Sequence, residues 1–238
     1  MSYRIRLIEK KEIAKDATCF VFEKPKGFKY KAGQCADFTL PLPKGLESQN
    51  LTRTFTLSSA PHEKTIYIVT KNTQSDFKKL LFSFRVGQRV KLEGPFGTFF
   101  LRETLSKPLV FIGAGIGVTP FASILKEAFF KNEDRNIIFM YSYRHDTSAV
   151  FLDDFLSYAK QHKNFSFTAL QTAKSSTKKT IKPRLDKKFL MSFIKNPGEQ
   201  SFYISGPIPF IVRIREILLE LNISDENIRT DEFTGYSE

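Results

Sequence analysis

The chain reads as two folds in series, a six-stranded antiparallel Greek-key β-barrel followed by a five-stranded parallel, doubly wound α/β domain. Three observations predict this. The first hundred residues carry short runs of β-branched and aromatic residues parted by Gly/Pro turns, with one brief helical stripe. After Lys107 apolar strand-like runs alternate with helical periodicity. A glycine-rich loop stands where the first of these later strands meets its helix.

In the first part, strands are expected at Tyr3 to Ile8, Ala17 to Glu23, Gln34 to Leu40, Thr54 to Ser58, Thr65 to Thr70 and Arg89 to Leu92. The turns between them include Pro25-Lys26-Gly27, Ala32-Gly33 and Pro41-Leu42-Pro43-Lys44-Gly45. Six short strands without long helices favour a closed barrel, because closure removes exposed edges. Phe77, Leu80, Leu81 and Phe84 form one stripe, which predicts a helix over Ser75 to Phe84. In the second part, strands are expected at Leu109 to Ile112, Asn136 to Tyr143, Phe165 to Gln171, Ser201 to Ser205 and Asn227 to Asp231. Helices fall between them at Pro120 to Lys131, Ala149 to Gln161, Leu185 to Lys195 and Pro207 to Asn222. Thr119 is expected as the N-cap of the first of these, with Pro120 in its first turn. The domains are expected at 1–104 and 105–238, with the hinge near Arg102 to Lys107.

Composition narrows the function classes. Of 238 residues, 41% are hydrophobic and 26% charged, which is ordinary for a globular protein. No apolar run approaches the ~20 residues that cross a bilayer. Charges spread through Met1 to Lys15 argue against a signal peptide, so a cytoplasmic setting is expected. Two cysteines, Cys19 and Cys35, are too few for a disulfide framework, a four-thiolate metal site or an iron–sulfur cluster, and read as buried free thiols. The net charge of +12 suits anionic partners, yet no nucleic-acid motif, basic arm or zinc spacing accompanies it. The densest basic stretch runs from Lys174 to Lys188 and reads first as a solvated loop. His62, His145 and His162 read as loop or helix-surface residues.

The loop Gly113-Ala114-Gly115-Ile116-Gly117-Val118-Thr119-Pro120 brings bare backbone and a helix N-terminus together, which suits a phosphate. A merely tight turn would use the same glycines. It is not the G-x-G-x-x-G fingerprint, whose third glycine would fall on Val118, and no Lys-Ser/Thr pair follows to make a P-loop.

Around this loop lie Arg53-Thr54-Phe55-Thr56, then Lys71 and Ser75, then Gly94-Pro95-Phe96-Gly97, and finally Ser205-Gly206-Pro207. This ordered set resembles the ferredoxin–NADP reductase superfamily over nearly the whole chain. The resemblance implies a flavoprotein that exchanges hydride between a nicotinamide dinucleotide and its flavin. Arg53 and Thr54 then lie on the strand that binds the flavin, with Arg53 on the pyrophosphate, where a guanidinium fork matches two phosphates. Phe55 replaces the family's usual Tyr, which keeps stacking and loses the phenolic hydrogen bond. Thr56 matches the hydroxyl that points toward flavin N5. Val69, Lys71, Gln74 and Ser75 correspond to the second flavin segment, although Thr73 and Gln74 replace the glycines usual before that Ser. FAD is expected rather than FMN.

On the nicotinamide side, Gly113, Gly115, Ile116, Gly117, Thr119 and Pro120 would hold the pyrophosphate, and Gly206 and Pro207 would place the nicotinamide. Ser205 replaces the family's Cys. Arg144, Thr172, Lys174 and Arg184 would converge on a 2′-phosphate, which favours NADPH over NADH; as ordinary loop charges they would favour neither. At the C-terminus, Glu232 would relay a proton, and Phe233 or Tyr236 would cover the flavin ring or else pack there for stability alone. Thr56, Ser205 and Glu232 are thus the expected catalytic set, with no metal. The electrons are expected to leave for a separate acidic carrier such as ferredoxin or flavodoxin. A role as an electron-transfer or regulatory subunit within a larger complex is the other reading.

Overall fold

A computed structural model describes residues 2–41, 51–73, 75–102, 107–173 and 185–233, the side chain of Phe233 excepted. The described chain divides into two compact units, Met1–Leu101 with Thr119–Lys131, and Arg102–Val118 with Asn132–Glu238.

The first unit holds β1 (Ser2–Ala14), β2 (Ala17–Glu23), β3 (Cys35–Thr39), β4 (Thr52–Thr56), β5 (Thr65–Lys71), α1 (Asp76–Ser83) and β6 (Arg89–Phe96). The strands form one antiparallel sheet in the order β4-β3-β6-β1-β2-β5, the Greek-key arrangement expected. Period-two alternation places Ile5, Leu7, Phe20, Phe22, Ala36, Phe38, Val90 and Leu92 in one core. The two edges approach each other, and the Ser58 N–H, just past β4, donates to Tyr67 O on β5 at 2.9 Å. Strand β4 lies two residues earlier than its composition suggested, because its register with β3 (Thr39 opposite Thr52, Cys35 opposite Thr56) ends the pairing at Thr56.

α1 carries the expected stripe, with Phe77, Leu81 and the following Phe84 buried in the barrel core. Ser75 is its N-cap, accepting from Lys78 N–H at 3.4 Å. The helix α2 (Thr119–Phe130) also groups with this unit. Its Ser123 hydroxyl donates to Ser59 O at 2.6 Å, and its Glu127 meets His62 Nδ1 at 2.6 Å while that imidazole stacks on Phe130.

The second unit holds β7 (Leu109–Ala114), β8 (Ile137–Tyr143), β9 (Phe165–Gln171), β10 (Ser201–Pro207) and β11 (Ile228–Phe233), with α3 (Leu152–Gln161), α4 (Lys187–Phe193) and α5 (Ile208–Glu220). Its sheet is wholly parallel, in the order β11-β10-β7-β8-β9. β7 is buried at every position, as a central strand covered on both faces requires. Val110, Ile112, Phe202 and Ile204 pack with Leu190 of α4 and Ile211, Ile214 and Leu218 of α5. Side chains of the opposite parity, among them Phe139, meet Phe155 of α3 at 4.9 Å between ring centroids.

Three local expectations are corrected. Thr119 is the first residue of α2 and not its cap, because a 3-10 turn over Gly115–Val118 already leads the chain into the helix. α3 starts at Leu152, since Asp146–Ser148 form a separate 3-10 turn. Cys35 is only half-buried, at the start of β3 beside Gly97, whereas Cys19 is buried, and burial pushes its thiol up to about 12.

Candidate functional site

In the first unit the expected flavin residues gather around β4. Arg53 and Thr54 are exposed, whereas Thr56 is buried at the strand's end. The Arg53 guanidinium lies 5.8 Å from the centroid of the Phe77 ring, and its Nη1 donates to Thr52 O at 2.7 Å. Thr54 donates its hydroxyl hydrogen bond to Asp37. Phe55 is half-buried, its ring 5.9 Å from Phe38 and 5.6 Å from Phe77. On β5, Val69 is buried and Lys71 half-buried. Ser75 opens α1, whose first backbone N–H groups have no intrahelical partners. Gln74 lies outside the described residues.

In the second unit the glycine turn and the Ser205-Gly206-Pro207 turn meet backbone to backbone. Ser205 is in register with Gly113 on the adjacent strand. A Cβ on Gly117 would fall 2.5 Å from Gly206 Cα, a distance no side chain tolerates. Gly115 has φ +54°, and among the described residues nothing lies within 4 Å of where a Cβ would stand. Ile116 is buried. Thr119, which follows the turn directly, is 1% exposed, and its hydroxyl has no hydrogen-bond partner among the described residues. Within this unit the close-packed glycines and the open position at Gly115 fit a phosphate-bearing ligand. The pair β7/β10 is also where the strand order reverses, the place at which open α/β sheets take their ligands.

At the carboxyl ends of β8 and β9, Arg144 is exposed and Thr172 lies beside it. The Thr172 hydroxyl donates to Tyr143 O at 3.1 Å, and Ala173 N–H donates to Arg144 O at 3.0 Å. Lys174, Arg184 and Tyr236 lie outside the described residues, and of Phe233 only the backbone is described, opposite Pro207. Ser205 is fully buried and donates its hydroxyl hydrogen bond to Asp231 O at 3.2 Å.

Two residues that sequence reasoning passed over stand out. Glu232, the expected proton relay, is exposed and sits opposite Gly206, whereas Asp231 sits opposite Ser205. Burial, with Glu232's charge added, pushes the Asp231 carboxyl up to about 7. Phe77, read only as part of a core stripe, touches both Arg53 and Phe55. The adjacency of two acids signalled the first; nothing local signalled the second.

Residues 4–101 match the model of the oxidoreductase FAD-binding domain, and residues 111–216 that of the oxidoreductase NAD-binding domain. The chain belongs to the ferredoxin–NADP reductase superfamily. Its two domains are accordingly those for FAD and for a nicotinamide dinucleotide. The chain is 26% identical over 216 residues to the reductase component of propane 2-monooxygenase from Rhodococcus jostii, covering 89% of this chain and 57% of that protein. It is 26% identical over 189 residues to the electron transfer component of toluate 1,2-dioxygenase from Pseudomonas putida, covering 77% and 54%. The chain thus spans between half and three fifths of these relatives' length. A ferredoxin NADP+ reductase from Neisseria gonorrhoeae, solved with FAD and NADP, has the same fold at TM-score 0.83 and 18% identity, covering 97% of this chain and 98% of that one. No helix among the described residues is long and apolar enough to cross a membrane.

Proposed function

We propose that the chain is a flavin-dependent NAD(P)H oxidoreductase that moves hydride between NADPH and FAD and exchanges electrons with a separate acidic carrier such as ferredoxin or flavodoxin. The observation that carries this reading is the approach of Gly117 to Gly206 at the switch point of the parallel sheet, which leaves bare backbone where a dinucleotide needs it.

In this reading FAD, when bound, accepts hydride from the nicotinamide and releases the electrons to the acceptor. The chain's residues bind, orient and neutralise. Arg53 grips the flavin pyrophosphate with the start of α1 at Ser75, and Phe55 flanks the ring system. Thr56 directs its hydroxyl to the flavin, with Val69 and Lys71 beside it. Gly113, Gly115, Ile116, Gly117 and Thr119 receive the nicotinamide pyrophosphate where Pro120 begins α2, and Gly206 and Pro207 place the nicotinamide next to Ser205. Asp231, whose carboxyl is pushed up to about 7, fits a proton-holding role, because a group with its midpoint near neutrality exchanges protons readily at pH 7. Arg144 and Thr172, side by side at the strand ends, support the 2′-phosphate of NADPH.

A second reading, an electron-transfer module acting within a larger assembly, is favoured by the likeness to the electron transfer component of toluate 1,2-dioxygenase.

The full-length protein supplied with FAD should be yellow and bleach on anaerobic addition of NADPH, with kcat/KM for ferricyanide reduction higher with NADPH than NADH. Arg53→Ala should weaken FAD binding roughly 10–100-fold, the loss expected for hydrogen bonds to a charged group. A colourless protein indifferent to flavin and NADPH would overturn the proposal, and a clear preference for NADH would overturn the coenzyme assignment alone.

A further inference from the structure

We infer that Phe77 is a positioning residue of the flavin site, holding the Arg53 guanidinium and the N-terminus of α1 in fixed relation before any flavin arrives. The inference rests on the reading of Arg53 as the pyrophosphate ligand.

Phe77 is 1% exposed and belongs to the barrel core, with Leu81 and Phe84 anchoring the same helix. Close packing therefore holds the ring in place on average. Its edge and face are shared by two side chains of β4. Phe55 packs on it at 5.6 Å and 36°, and the Arg53 guanidinium carbon lies 5.8 Å from its centroid, within cation–π range. The Arg53 Nη1 also donates to Thr52 O at 2.7 Å, a second contact on the guanidinium. An exposed Arg loses substantial rotamer entropy when it grips a ligand. Here the ring and the carbonyl restrict it in the folded protein, so less order remains to be imposed on binding.

Phe77 is also the second residue of α1, and Ser75 caps that helix. The start of α1 and the guanidinium are two donor sites for one diphosphate, and they belong to elements that do not pair in the sheet. One aromatic ring, set in the core and touching β4, sets the distance between them. A core residue that only filled volume would not need to lie beneath the strand's single cation.

A double-mutant cycle on the full chain tests this, with the dissociation constant of FAD read by quenching of flavin fluorescence. Phe77→Leu keeps apolar volume and removes the ring; it should weaken FAD binding about three- to tenfold, the range of a partly exposed cation–π contact. In an Arg53→Ala background the same substitution should change FAD affinity less than about twofold, because the group it positions is gone. Equal effects in both backgrounds, or no effect in the wild type, would overturn the inference. If Arg53→Ala leaves FAD affinity untouched, it is the assignment of Arg53 that fails. Circular dichroism and the melting temperature of the flavin-free proteins establish that each variant folds. Should Phe77→Leu not fold, Phe77→Met, which fills irregular space without a ring, takes its place with the same expected outcomes.

Discussion

At Asp231 and Glu232, adjacent residues of one strand have opposite fates, because successive side chains point to opposite faces. Glu232 stays in solvent, where a carboxylate is stable. Asp231 lies beside Ser205, and its burial makes the charged form costly, which raises its midpoint to about 7. The native state thus holds this proton to higher pH than an unfolded chain, whose Asp titrates near about 4. The stabilisation is complete below that lower value and is lost as pH rises through about 7. Urea midpoints of the wild type should therefore fall from about pH 5 to about pH 8 relative to those of Asp231→Asn, which cannot titrate. Parallel midpoints for the two proteins across that range would show that the carboxyl is not held protonated. Legibility differed between these two residues. The sequence marked an acidic pair at the end of the last strand, but which member turned inward depended on register with β10.

Among the elements, the junction of β7 and β10 depends most on a single atom's absence. Gly117 and Gly206 are 89 positions apart, and the parallel pairing of their strands brings their backbones into contact. Gly117→Ala places a methyl group 2.5 Å from backbone that cannot rotate away. It should cost about 1–3 kcal/mol in stability, the usual range for overpacking. It should also weaken NADPH binding more than FAD binding, since the first unit is untouched; calorimetric melting and separate titrations of the two dinucleotides measure this. Equal losses of both affinities would mean that the glycine serves folding alone. The helices and strands themselves were largely readable from periodicity. The start of α2 was not, because the turn over Gly115–Val118 is held by tertiary packing and extends the helical path ahead of Pro120.

For the whole molecule, the excess charge is unevenly shared. The first unit carries 20 Lys and Arg against 10 Asp and Glu, and the second 17 against 15. The stretch from Lys174 to Lys188 catches the eye in the sequence, yet its unit is close to neutral. An acidic electron carrier would be steered chiefly by the field of the first unit. Reduction of flavodoxin or ferredoxin should slow roughly tenfold between low and high salt, while NADPH-dependent ferricyanide reduction changes much less. Stopped-flow rates at several ionic strengths decide this, and a carrier rate indifferent to salt would remove the case for an acidic partner.

The amino-acid sequence alone determined the two fold classes, the order of their elements and the motifs that mark the superfamily, because hydrophobic period, turn residues and glycine spacing are local properties. The tertiary structure decided which glycines touch, which of two neighbouring acids sits opposite Ser205 and which core ring lies under Arg53. Those relations join residues distant along the chain, and strand register and helix docking, which no local pattern encodes, bring them together.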